Sequence, residues 1–184
     1  MLIKTGGNAL LDVNYILKKI DISQNMVVAD LGCGSSGHFI FPISQLIGKR
    51  GKVYAVDILK TVLETVSRRV KQENIENIET VWTDLEVYKA TKIENGSLDI
   101  ALLANTLYQS QKRPEILRES ARLLKKNGKM VVVEWKNIAS HFGPPPEMQV
   151  NKEQIKLTAG KLGLVLEEEF DAGIYHYGLI FIKA

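Results

Sequence analysis

Asp30, Gly32, Gly34 and Gly37 fall inside the segment VVADLGCGSSG, and the three glycines spell GxGxxG directly after an apolar run. Glycine permits positive φ and lets a ligand come close to the backbone, while a helix opening after such a turn offers unpaired N–H groups. Asp57 ends the next apolar segment, VYAVD, 20 residues beyond Gly37. There an acid can accept hydrogen bonds from both hydroxyls of a ribose. A glycine turn with a distal acid fits a nicotinamide dinucleotide or S-adenosylmethionine. Asp30 separates the two, because a carboxylate two residues before Gly32 would repel a pyrophosphate but attract an ammonium and a sulfonium. Cys33 inside the turn reads as a small residue that the turn requires and not as a nucleophile, since no histidine stands at a suggestive spacing.

The elements that must position these residues alternate between helical and extended periodicity, the pattern of an α/β fold around a mostly parallel sheet. A helix is expected over Asn8 to Ile20, then strands at Met26 to Leu31 and Lys52 to Val56 around the glycine turn and a helix reaching about Gly48. Leu59 to Glu73 reads as a helix and Ile78 to Trp82 as a third strand. Leu98 to Ala104 is a near-continuous apolar run, as a strand buried on both faces requires. Asp99 precedes that run instead of following it, so it is not assigned as a metal ligand. Pro114 suits the first turn of a helix running to about Lys126, ended by Asn127 and Gly128 ahead of a strand at Lys129 to Trp135. Pro144, Pro145 and Pro146 make residues 137–150 a loop. After a helix at Lys152 to Leu162, the strands Leu164 to Phe170 and Tyr175 to Lys183 are separated by a gap so short that they must be antiparallel. The last parallel units therefore give way to a hairpin, which also favours S-adenosylmethionine over a nicotinamide cofactor.

VVADLGCGSSG resembles motif I of the class I S-adenosylmethionine-dependent methyltransferases, VYAVD resembles their acidic second-strand motif, and LLKKNGKMVVVEW their passage LKPGG with the strand that follows. The resemblance runs from about Val27 to Trp135, is extended by the hairpin, and is strongest to the compact methyltransferases of ubiquinone and menaquinone biosynthesis. It implies a Rossmann-like fold: a seven-stranded mostly parallel sheet with an antiparallel C-terminal hairpin and helices on both faces. Residue by residue, it implies that Asp30, Gly32 and Gly34 surround the methionine part of S-adenosylmethionine and that Asp57 and Ile58 hold the ribose and flank the adenine. Asp84 and Leu85 match the position facing the adenine amino group, and Asn105 with Leu107 the segment covering the cofactor beside the transferable methyl. Asp84 read alone could instead cap a helix, and Asn105 could satisfy a turn. Two departures stand out: Tyr108 and Gln109 replace a histidine common in relatives, and Lys126 replaces the proline of LKPGG.

In open α/β sheets ligands bind beyond the carboxyl ends of the strands. The acceptor should then approach Tyr108, Glu134, Trp135 and His141. An exposed loop histidine and a paired strand-end carboxylate are the plainer alternatives for His141 and Glu134. Tyr175, His176 and Tyr177 alternate along the last strand and read as sheet packing.

At 184 residues the chain is expected to form a single domain, with residues 1–25 and the loop 137–150 as the available lids. Composition is that of a soluble globular protein, with 45% hydrophobic and 24% charged residues. One cysteine and three scattered histidines supply neither a disulfide nor a metal cluster. No apolar run is long enough to span a bilayer and no signal peptide is visible, so the expected compartment is the cytoplasm. The net charge of +3 gathers in clusters such as Lys125, Lys126 and Lys129, read as solvated helix ends. A small-molecule acceptor is therefore expected, with an RNA methyltransferase or a non-catalytic S-adenosylmethionine-binding protein as the alternatives.

Overall fold

The computed structural model describes residues 10–138 and 141–184. Seven strands form one sheet: β1 (Val27–Leu31), β2 (Lys52–Asp57), β3 (Ile78–Trp82), β4 (Leu98–Ala104), β5 (Leu124–Trp135), β6 (Leu164–Asp171) and β7 (His176–Lys183). Their order across the sheet is β3-β2-β1-β4-β5-β7-β6. Neighbours are parallel from β3 to β5, whereas β7 runs antiparallel to both β5 and β6. This is the Rossmann-like methyltransferase arrangement expected from the sequence. Strand order reverses between β1 and β4, the crevice where such sheets hold ligands.

Five helices cover the faces: α1 (Val13–Lys19), α2 (Ile40–Ile47), α3 (Lys60–Gln72), α4 (Arg113–Leu123) and α5 (Lys152–Lys161). Side chains of α1, α2 and α3 pack with Val28, Ile100, Leu102, Val131 and Ile180 on one face of the sheet. On the other face α4 and α5 pack with Ala29, Leu103, Met130, Val132 and Leu179. The two-residue alternation along each strand generates both cores, and β4, buried except at Asp99, owes its near-continuous apolar sequence to lying between them.

Several boundaries differ from the sequence expectation, most by one residue and some by more. The Asn8–Ile20 helix begins only at Val13, capped by Asp12 through a bond from the Tyr15 N–H, while Asn8 and Ala9 lie outside the described residues. The glycine turn runs on through residue 39, and α2 starts at Ile40. Pro42 has no N–H to bond back to an earlier turn, so it sits where its helix begins. Finally, α4 ends at Leu123 and not near Lys126, because Leu124 already pairs with Leu98 in the sheet. Residues 125–128 form an irregularity in which Asn127 has positive φ and a Cβ on Gly128 would lie 2.9 Å from the Leu98 carbonyl. Among the described residues no helix is long and apolar enough to cross a membrane.

Candidate functional site

A cleft of about 390 Å³ opens at the carboxyl ends of β1 to β4, lined among others by Gly32, Gly34, Asp57, Ile58, Asp84 and Leu85. The Gly32 and Cys33 N–H groups both donate to the Val56 carbonyl, folding the turn back over β2. A Cβ on Gly32, at φ 93°, would stand 2.6 Å from Thr106 Oγ1, whose hydroxyl donates to the Leu31 carbonyl. The turn is thus closed on the segment after β4. Gly34, at φ 64°, has nothing within 4 Å of the corresponding position.

Asp57 occupies the end of β2 with both oxygens engaged: Oδ2 accepts the Gly34 N–H at 3.1 Å and Oδ1 the Leu59 N–H at 2.9 Å. Asp30, one residue before the end of β1, is 1% exposed, and among the described residues its Oδ2 has no hydrogen-bond partner. Burial and the nearby Asp57 carboxylate raise its pKa to about 7. Such a carboxyl is costly unless something cationic neutralises it. Cys33 is closed into the same turn at 1% exposure, and burial with the charges of Asp30 and Asp57 pushes its thiol well above the usual range. That removes it as a nucleophile.

The model of a methyltransferase domain matches residues 22–171. The chain belongs to the methyltransferase domain family. S-adenosylmethionine is the cofactor that goes with this membership, and the site fits it. The orphaned Asp30 oxygen suits an ammonium, the open space at Gly34 admits a ligand against the backbone, and Asp57 stands at the cleft wall. The chain is similar to the demethylmenaquinone methyltransferase of Lactococcus lactis, 28% identical over 141 residues that cover 77% of this chain and 51% of that one. It is also similar to a ubiquinone/menaquinone biosynthesis C-methyltransferase of Shewanella frigidimarina, 30% identical over 60% of this chain and 43% of that one. The chain thus spans about half the length of the curated relatives it matches. A SAM-dependent methyltransferase from Aquifex aeolicus shares the fold with a TM-score of 0.85 at 22% identity, over 95% of this chain and 91% of that one.

The remaining expected residues fall around the cleft and on the loop after β5. Asp84 accepts the Glu86 N–H at 2.9 Å and so closes a turn after β3, not a helix. Ile58 forms an exposed wall of the cleft and Leu85 a buried one. Asn105 and Leu107 sit beside the cleft in the turn after β4. Asn105 has φ 55° and donates its N–H to the Val133 carbonyl; Leu107 is wholly buried in the core. Tyr108 is half-buried on the same turn. Glu134, at zero exposure, accepts the Leu107 N–H at 2.6 Å and the Tyr108 N–H at 3.3 Å through Oε1, while Oε2 has no partner among the described residues. Burial raises its pKa to about 7 against those bonds. Trp135 is buried below Gly143 of the following loop, and His141 lies exposed on that loop.

Sequence reasoning missed Thr106, Ser110 and Glu86, which also line the cleft, and Arg113, which bonds to the turn after β4. The Ser110 hydroxyl donates to Glu86 Oε1 at 2.6 Å, closing the β3 and β4 ends of the cleft on each other. Arg113 donates to the Leu107 carbonyl at 3.1 Å and the Met148 carbonyl at 2.8 Å. A serine and a glutamate 24 residues apart carry no local pattern. Among the described residues no group of three His, Cys, Asp or Glu side chains converges as a metal site would need.

Proposed function

We propose that this chain, acting as one domain, binds S-adenosylmethionine with its ammonium at Asp30, its methionine part along Gly32 and Gly34, and its ribose at Asp57. Ile58 flanks the adenine, whose amino group meets Asp84 and Leu85, and Asn105 and Leu107 belong to the turn that covers the methyl side. The observation that carries this reading is the buried Asp30 oxygen without a partner. The cofactor supplies an electrophilic methyl on a sulfonium whose departing sulfur needs no proton. The protein's work is to align an acceptor and exclude water.

The acceptor is a small molecule that reaches the ends of β4 and β5 near Tyr108, Glu134, Trp135 and His141, with the region before β1 and the loop 141–150 as lids. The names of the Lactococcus and Shewanella relatives favour a quinone-type ring. Thermal melting with S-adenosylmethionine, S-adenosylhomocysteine, NAD and NADP tests the cofactor. Ligand at about 100 times its Kd stabilises by roughly 2.7 kcal/mol, a rise of roughly 5 to 11 °C for a chain of this size. A rise with both adenosyl compounds and not the dinucleotides supports the proposal, and a rise with the dinucleotides alone sinks it. Binding without turnover of reduced quinone acceptors would leave a non-catalytic binding protein.

A further inference from the structure

We infer that His176 and Trp135 form a subsite that holds an uncharged hydrogen-bonding group of the methyl acceptor, a reading that rests on the transferase function proposed above. The two residues are paired across β5 and β7, their rings 4.2 Å apart and tilted by 40°. His176 has zero exposure and Trp135 5%. Yet among the described residues His176 Nδ1, His176 Nε2 and Trp135 Nε1 have no hydrogen-bond partner. The large majority of buried side-chain polar atoms are bonded. Three unbonded ones in a single stacked pair are not what packing alone selects, since phenylalanine would fill the space without stranding a donor.

Their position suits an acceptor. Val131 and Val133 belong to the core on the α1 side, and the two-residue alternation of β5 points Trp135 the same way. Val28 and Ala104 belong to that core too, so Asp30 shares this face of the sheet with the pair. β7 lies two strands from β4, about 10 Å at the usual strand spacing. A molecule anchored at His176 would therefore extend toward the turn after β4 that borders the cleft. The cover is the loop after β5: a Cβ on Gly143 would stand 2.6 Å from the Trp135 ring, so the backbone lies directly on the indole. Movement of that loop uncovers the pair.

The chemistry of the ligand follows from the atoms offered. Burial and the Lys136 charge keep the imidazole neutral, with its pKa lowered to about 4. Lys136 itself is occupied by Asp171 and the Gly173 carbonyl. A neutral imidazole gives one donor and one acceptor, and the indole gives one donor. A hydroxyl complements that set, because it can donate to one imidazole nitrogen while accepting from the indole N–H.

The test uses the full chain labelled with 15N-histidine, saturated with S-adenosylhomocysteine, and titrated with phenol and with anisole, which lacks the O–H donor. Phenol is expected to shift both His176 nitrogen resonances saturably, with anisole binding at least tenfold more weakly. His176→Leu should weaken phenol at least tenfold while changing S-adenosylhomocysteine affinity by less than twofold. Unmoved His176 resonances in a protein that binds S-adenosylhomocysteine would overturn the subsite alone, as would a folded His176→Leu that binds phenol like the parent. Failure to bind S-adenosylhomocysteine would overturn the transferase reading and the subsite with it.

Discussion

Glu134 Oε1 accepts the Leu107 N–H at 2.6 Å, so a buried carboxylate on β5 fixes the turn after β4 from below. Arg113 grips the same turn from its carbonyl side, through Leu107 O, and ties it to Met148 of the loop beyond β5. Glu134→Leu removes the acceptor of two backbone N–H groups and is expected to cost about 2 to 4 kcal/mol in urea denaturation. Glu134→Gln keeps an acceptor oxygen and should cost less than about 1 kcal/mol. A leucine variant as stable as the parent would show that the turn is held by other means.

Asp30 and Glu134 both have pKa values raised to about 7 in the folded protein, from ordinary values of 3.8 and 4.5. The folded chain then keeps protons that the unfolded chain releases between those values and about pH 7. Their contribution to stability is complete below that window and is lost as pH rises through it. Urea midpoints of the ligand-free protein should fall from about pH 5 to pH 7 and then level off. Glu134→Gln should make the fall shallower.

A cation at Asp30 favours its ionised form, so cofactor binding below about pH 7 must expel a proton. Affinity for S-adenosylmethionine should weaken by up to about tenfold per pH unit below that point. Titration calorimetry in buffers of different ionisation enthalpy counts the proton directly. Asp30→Asn should bind more weakly and lose the pH dependence; an unchanged profile would remove Asp30 from the site. Asp57→Ala should also weaken binding more than tenfold, and the loss of its bonds to Gly34 and Leu59 adds about 1 kcal/mol each to the cost in stability.

Gly32 and Gly34 should fail differently. Gly32→Ala drives a methyl into Thr106 at a positive φ, and a loss of about 1 to 3 kcal/mol is expected even without ligand. Gly34→Ala meets open space and bears only the left-handed strain of roughly 1 to 2 kcal/mol, yet its methyl points where ligand should lie. Its melting temperature should fall only by the roughly 2 to 8 °C that this strain accounts for, while affinity for S-adenosylmethionine falls more than tenfold. Equal affinity in the two proteins would place the ligand elsewhere.

Glu119 anchors the connection before β4. It is fully buried, accepts the Lys89 and Thr91 N–H groups and pairs with Arg122 at 2.6 Å. These bonds outweigh burial and hold its pKa at about 2, below the ordinary 4.5. Its stabilisation is present above the ordinary value and is lost as pH falls through about 2. Glu119→Ala leaves Arg122 uncompensated and should cost about 3 to 5 kcal/mol by denaturation at pH 7.

Local patterns made much of this legible. β3 and β4 coincide with the runs Ile78 to Trp82 and Leu98 to Ala104; for β4 the reason is burial on both faces, which writes itself into consecutive side chains. The cleft residues Gly32, Gly34 and Asp57 are readable because positive φ favours glycine and an acid at a strand end stands out from the apolar run before it. What escaped depends on partners distant in the chain. Leu124 leaves its helix early to meet Leu98. Glu134 looked like a strand-end acid, and only the fold reveals that it serves the turn 27 residues before it. His176 read as packing because an alternating strand does not disclose whether its buried nitrogens find partners.

Cys33 is the chain's one cysteine, and it is locked in the turn on which the proposed cofactor rests. With the thiol buried and its proton firmly held, an alkylating reagent can reach it only during moments when that turn comes apart. The protein therefore carries a built-in clock. The rate at which iodoacetamide marks this single sulfur counts the excursions of the turn, and a ligand seated there would slow the count without any foreign label.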